Sequence, residues 1–146
     1  MIRVQPGDYE IIAVLGIILD SFALLFLAAF PNSTADGFAI LAFSILSLLY
    51  SLPLAGLLHG AAWFLEIENR RLLFSAFIGF TSYTIFFVVA RVIYQKASIM
   101  VALGIMWIIT AGLVKFMYRT DWSKASVVSS VSVLFFITLI IYRSMV

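Results

Sequence analysis

The stretch Leu72–Ile93 reads "LLFSAFIGFTSYTIFFVVARVI". It holds one charged residue, Arg91, close to its end. A helix needs about 20 mostly apolar residues to cross a bilayer, and this run is long enough. Strict alternation of apolar and polar residues would mark a barrel strand. This run is continuously apolar, so it is read as a spanning helix.

Four more runs of the same kind surround it. They are Ile11–Phe30, a longer one from Gly37 to Leu65, Ala97–Met117 and Ala125–Tyr142. The breaks "PNSTAD", "EIENRR", "YQK" and "YRTDWSK" carry charge, proline or turn residues. Connections this short make successive helices run antiparallel. The second run is too long for one straight span. It is expected to tilt, to extend beyond the hydrocarbon or to bend at Pro53 and Gly56, where a backbone hydrogen bond is lost.

Composition agrees. The 146 residues are 64% hydrophobic and 11% charged, with a mean hydropathy of +1.17. A soluble domain is about half apolar and a quarter charged. A small globule has too much surface to hide this excess, so lipid is the expected solvent. The net charge of +2 gives no nucleic-acid signature, and the basic residues sit at the ends of apolar runs, where headgroups lie. Cysteine is absent, which removes disulfide, iron–sulfur and thiol chemistry. The start "MIRVQPGDYE" has one Arg and no small-residue cleavage site after the first run, so it reads as no signal peptide. The expectation is all-α: a single-domain integral membrane bundle of five transmembrane helices, in the cell membrane if the source is prokaryotic.

Lys and Arg in short loops set orientation. With the N-terminus inside, Arg3, Arg70, Arg71, Lys115, Arg119 and Lys124 lie inside, against Arg91, Lys96 and Arg143 outside. This favours a cytoplasmic N-terminus and an outer C-terminus. Arg70 and Arg71 also suit anionic headgroups. If the second helix continues, Glu66 and Arg70 form an i,i+4 pair.

Helices in lipid associate through small residues and interhelical hydrogen bonds. Ser75, Gly79 and Ser82 mark one such face. Gly104 and Gly112 mark another, and Ser126, Ser129 and Ser130 a third. These faces pack inside the bundle or meet another protein. Trp63, Tyr94, Tyr118 and Trp122 lie near run ends and fit interfacial aromatic belts. Trp107 lies mid-run, and its indole N–H needs a partner if buried.

Asp20 is the acid nearest to mid-span. Charge there costs about 2.5–3.5 kcal/mol on insertion scales, so it should face the bundle. By depth its partners would be Ser47, Tyr50 or Ser51, Tyr83 and Thr110. It is a proton or cation site, a hydrogen bond that locks the first helix, or a contact with another subunit. His59 is the one histidine; with Glu66 and Glu68 beyond it, a metal is conceivable, although the spacing matches no established motif. Asn32 opens an N-x-S/T sequon, but it lies close to the first run, and Ser33 or Thr34 reads better as a helix cap. No nucleophile elbow, zinc-helix, Walker or dinucleotide motif occurs.

The segment "SLPLAGLLHGAAWFLEIENRRLLFSAFIGFTSYTIFF" resembles the middle of the five-span Yip family: a helix ending in a His-containing stretch (His59), the polar break "EIENRR", then a Phe-rich helix with the Tyr step at Thr81–Ser82–Tyr83. The segment "IMWIITAGLVKFMYRTDWSKASVVSSVSVLFFITLIIY" resembles its last two helices. The resemblance implies five spans and no defined activity. The functional expectation is a non-catalytic accessory protein without cofactor, contacting lipids and other membrane subunits but not nucleic acid. The alternatives are an ion- or proton-translocating component using Asp20, and a redox-complex subunit in which His59 helps hold a cofactor or metal.

Overall fold

The computed structural model describes residues 5–29, 37–93 and 99–145. Five helices follow one another: α1 Pro6–Ala29, α2 Gly37–Phe64, α3 Leu72–Ile93, α4 Ile99–Tyr118 and α5 Trp122–Met145. No strand occurs among the described residues. The boundary of α3 is the one expected from its apolar run. The helices α1 and α5 start earlier than their runs because polar residues cap them. Asp8 accepts from the Gln5 N–H at 2.7 Å, and Pro6 needs no donor at the first helical position. Asp121 accepts from the Lys124 N–H at 2.8 Å and so opens α5.

Three helices are long and apolar enough, among the described residues, to cross a membrane: Leu72–Val89 in α3, Ile99–Tyr118 in α4 and Trp122–Tyr142 in α5. The helix α2 is 28 residues long and contains Pro53. Asn32, Ser33, Thr34 and Tyr94 lie outside the described residues.

The helix α2 stops by its own backbone geometry. The Ile67 N–H bonds the Ala62 carbonyl and the Glu66 N–H bonds the Trp63 carbonyl, both at 3.0 Å. This is a Schellman cap, with Glu66 in the left-handed region at φ 55°. Ile67 and Ala62 are both buried and close the apolar side of the cap. The Glu66–Arg70 pair expected from the sequence therefore does not form. The helix ends before Glu66, and Arg70 turns back to donate to the Ile67 carbonyl at 2.7 Å.

Neighbour relations place α3 at the centre. It packs against α1, α2 and α4; α4 packs on α5, and α5 returns to α2. The helices α2 to α5 thus close a ring, and α1 lies in the groove between α2 and α3. The core is aromatic where α3 meets α5. Phe136 stacks on Phe86 at 4.3 Å between centroids and lies 5.9 Å from Tyr83.

The contacts on α3 show the direction of each neighbouring helix. Three contacts join α1 to α3: Glu10 with Arg71, Gly16 with Phe77, and Asp20 with Thr81. The residue numbers differ by 61 in all three, so the two helices run parallel, level with each other. Past Pro53, α2 meets α3 through His59 with Ser75 and through Ala55 with Gly79. Their numbers total 134 in both, as antiparallel helices require. Ser75 meets Tyr118, and Ser82 meets Thr110 on α4. These pairs total 193 and 192, again antiparallel. The pairs Trp107–Ser130 and Lys115–Trp122 set α4 against α5 in the same sense.

Candidate functional site

The polar groups of the interior gather on α3. Ser75 sits one turn into the helix and is fully buried. Its hydroxyl lies 2.5 Å from the Tyr118 hydroxyl, 3.1 Å from His59 Nδ1 and 3.2 Å from the Arg71 carbonyl. A serine hydroxyl has one proton and two lone pairs. One arrangement makes all three contacts hydrogen bonds at once. Ser75 donates to the Arg71 carbonyl and accepts from the Tyr118 O–H and the His59 Nδ1–H. Reversing the Tyr118 bond would leave the buried Tyr118 proton without a partner. In that arrangement a neutral His59 carries its proton on Nδ1, and Nε2 holds the free lone pair. Ser75 is too deeply buried to serve as a nucleophile.

Mid-helix, Thr81 donates to Asp20 Oδ2 at 2.5 Å. This corrects the partners expected by depth. Ser47 bonds Tyr83, Thr110 bonds Ser82 at 2.8 Å, Ser51 is engaged within the fold, and Tyr50 is exposed. Depth alone named candidates on α2, α3 and α4, including Tyr83 on the right helix; the acid turns to Thr81, two residues before it on α3. The sequence held a signal for it: Asp20 stands nine residues past Ile11, and Thr81 nine past Leu72. The Ser82 hydroxyl donates to the Ile78 carbonyl at 2.6 Å and accepts from Thr110.

The small-residue faces divide. Ser75 and Gly79 are contact positions. A Cβ on Gly79 would stand 3.0 Å from the Ala55 nitrogen and 3.1 Å from its Cα. Gly104 and Gly112 are not; a Cβ there would meet nothing within 4 Å. Both lie on the side of α4 turned from its neighbours, which their spacing alone does not reveal. On α5, Ser129 is buried and donates to the Ser126 carbonyl at 3.0 Å. Ser130 is exposed and accepts the Trp107 indole N–H at 3.2 Å. That bond supplies the partner Trp107 was expected to need. Gly16 was missed: a Cβ there would overlap the Phe77 ring.

Charged groups crowd the end where α1, α3 and α5 begin and α2 and α4 finish. Arg71 pairs with Glu10 and lies 5.7 Å from the Phe74 ring centre. The Arg119 guanidinium lies 4.4 Å over Tyr9, and the Lys115 ammonium 4.3 Å over Trp122. Tyr9 also meets Phe116 at 5.3 Å. Tyr118 departs from its expected place in an aromatic belt. It points inward to Ser75 and is 1% exposed. Trp63 and Trp122 are exposed, as a belt requires. Glu68 is exposed in the α2–α3 turn. Among the described residues, His59, Glu66 and Glu68 do not form a metal-holding group, nor do any other three His, Cys, Asp or Glu side chains.

Compared with protein-family models, curated proteins and solved structures, the chain shows no match.

Proposed function

We propose that the chain is a five-span integral membrane protein that works without catalysis, as a structural or accessory subunit acting through helix–helix and lipid contacts. The observation that supports five spans is the register of α1 on α3. From Glu10–Arg71 to Asp20–Thr81 the two helices run level over about 15 Å, at 1.5 Å per residue. A helix level with a spanning helix shares its depth. The helix α2 is antiparallel to α3 and extends for 28 residues, ample for a crossing. Arg and Lys counts favour a cytoplasmic N-terminus. The resemblance to the Yip family is in keeping with this architecture and adds no activity.

The non-catalytic reading draws support from polar satisfaction. Every buried side-chain nitrogen and oxygen among the described residues has a hydrogen-bond partner. A catalytic or transport site keeps polar groups available for a substrate, whereas these groups are spent on joining helices. Native mass spectrometry from mild detergent tests the accessory role. The expected result is the chain in fixed stoichiometry with other protein chains. A homogeneous monomer would overturn it.

The second reading, ion or proton movement through Asp20, rests on the level of that acid. Thr81 lies at the middle of the Leu72–Val89 stretch, and Asp20 shares its depth. A lone carboxylate already bonded to a threonine is half of a relay at most. The expected outcome for Asp20→Asn in proteoliposomes is unchanged proton and cation flux, because the amide keeps an oxygen for the Thr81 O–H. Loss of a flux present in the wild type would establish the transport reading instead.

A further inference from the structure

Among the described residues, five basic side chains at one end of the bundle look alike in the sequence, and the fold separates them. Arg71 is neutralised by Glu10, and Arg70 is turned back onto the Ile67 carbonyl. Lys115, Arg119 and Lys124 have no carboxylate within ion-pair distance among the described residues. Two of them are held by aromatic faces instead, Lys115 over Trp122 and Arg119 over Tyr9. A cation on a ring keeps its charge and its outward N–H donors. The nearby acid, Asp121, is occupied as the cap of α5. Around the α2–α3 turn the balance is reversed, because Glu10, Glu66 and Glu68 outnumber Arg70 and Arg71.

Position gives this corner a partner. The apolar stretch of α4 ends at Tyr118 and that of α5 begins at Trp122. Lys115 to Lys124 therefore straddle the edge of the hydrocarbon, where phosphates lie, and Trp122 is exposed there. Arg119 also stands at φ 52°, a backbone position that favours glycine. An arginine there gives up local backbone comfort for a side chain that reaches Tyr9.

We propose that Lys115, Arg119 and Lys124, steadied by Trp122 and Tyr9, form a binding site for the phosphate of an anionic phospholipid. The site rests on the membrane-spanning reading. Because Tyr9 belongs to α1, Lys115 to α4, Arg119 to the turn that follows α4, and Lys124 to α5, an occupied site ties the first helix to the last two.

The test is lipid retention in native mass spectrometry, with the purified chain exposed to phosphatidylglycerol or phosphatidylcholine. The expected result is one phosphatidylglycerol held per chain in preference to phosphatidylcholine, with retention falling as salt rises. Lys115→Gln and Arg119→Gly should each weaken it about fivefold, since a basic residue near an anionic surface contributes about 1 kcal/mol. Arg119→Gly is the informative variant, because glycine suits the left-handed backbone and the fold survives while the charge is lost. Equal retention of the two lipids, or unchanged retention in both variants, would overturn the site. Displacement of the lipid by millimolar inorganic phosphate would also overturn it, by making free phosphate the ligand. Release of the chain from membranes by alkaline carbonate is a separate outcome: it removes the spanning reading itself.

Discussion

Ser75→Ala should destabilise the protein by about 1–3 kcal/mol, the cost of stranding the buried Tyr118 O–H, with the half-buried His59 adding less. Tyr118→Phe should cost only about 1 kcal/mol, because Ser75 keeps its bonds to the Arg71 carbonyl and His59. The sharper expectation concerns the pair. In the double variant no tyrosine proton remains to be stranded, so its cost should fall clearly below the sum of the two single costs. A double-mutant cycle on thermal or denaturant unfolding in detergent measures this coupling. Strict additivity would mean that Ser75 is not the acceptor of Tyr118. The arrangement has a structural consequence as well: one hydroxyl on α3 holds the ends of α2 and α4, so its loss loosens three helices at once.

The sequence made α3 easy to find, and the physical reason is local. Its apolar residues run without a break, and Ser75, Gly79 and Ser82 recur on a helical face. Helix type depends on such short-range pattern, and so does the expectation that Ser75 and Gly79 make close contacts. The partner of each contact is a matter of register, which is set by the side chains of two helices at once. Gly16 shows this: nothing within α1 says that the Phe77 ring will lie over it. Asp20 shows the converse, since equal distance from the two run starts would have singled out Thr81. Depth alone reached Tyr83 on α3 and missed the face, two residues earlier, that α3 presents to Asp20. Gly104 and Gly112 have a spacing as suggestive as that of Ser75 and Gly79, yet they line open space. A small residue permits close approach; whether another helix comes near is decided elsewhere in the chain. Caps behaved in the same way. Asp121 reads as a loop charge until its carboxylate is seen on the Lys124 N–H, and Glu66 stands where a glycine would ordinarily announce the helix end.

Gly79→Leu should strongly disrupt the joint between α2 and α3. A first carbon at this position already stands 3.0 Å from the Ala55 backbone nitrogen and 3.2 Å from the Ala55 Cβ. Backbone atoms cannot step aside as a flexible side-chain tip can, so the helices α2 and α3 must separate or shift. Overpacking of a close contact costs about 1–3 kcal/mol and more where no side chain can yield; the upper end is expected here, since leucine adds three further carbons. Separation would also lengthen the His59–Ser75 bond, one turn away in the same register. Gly79→Ala should cost less than leucine, because it adds only the first tight carbon and gains about 1 kcal/mol of helix propensity in return. Gly104→Leu supplies the control on an equally apolar helix. With open space around it, that change should leave stability unchanged or raise it by about 0.5–1 kcal/mol. Unfolding midpoints of the three variants in one detergent distinguish a packing contact from a general intolerance of leucine. Equal losses for Gly79→Leu and Gly104→Leu would remove the α2–α3 seam from its place as a tight joint of the fold.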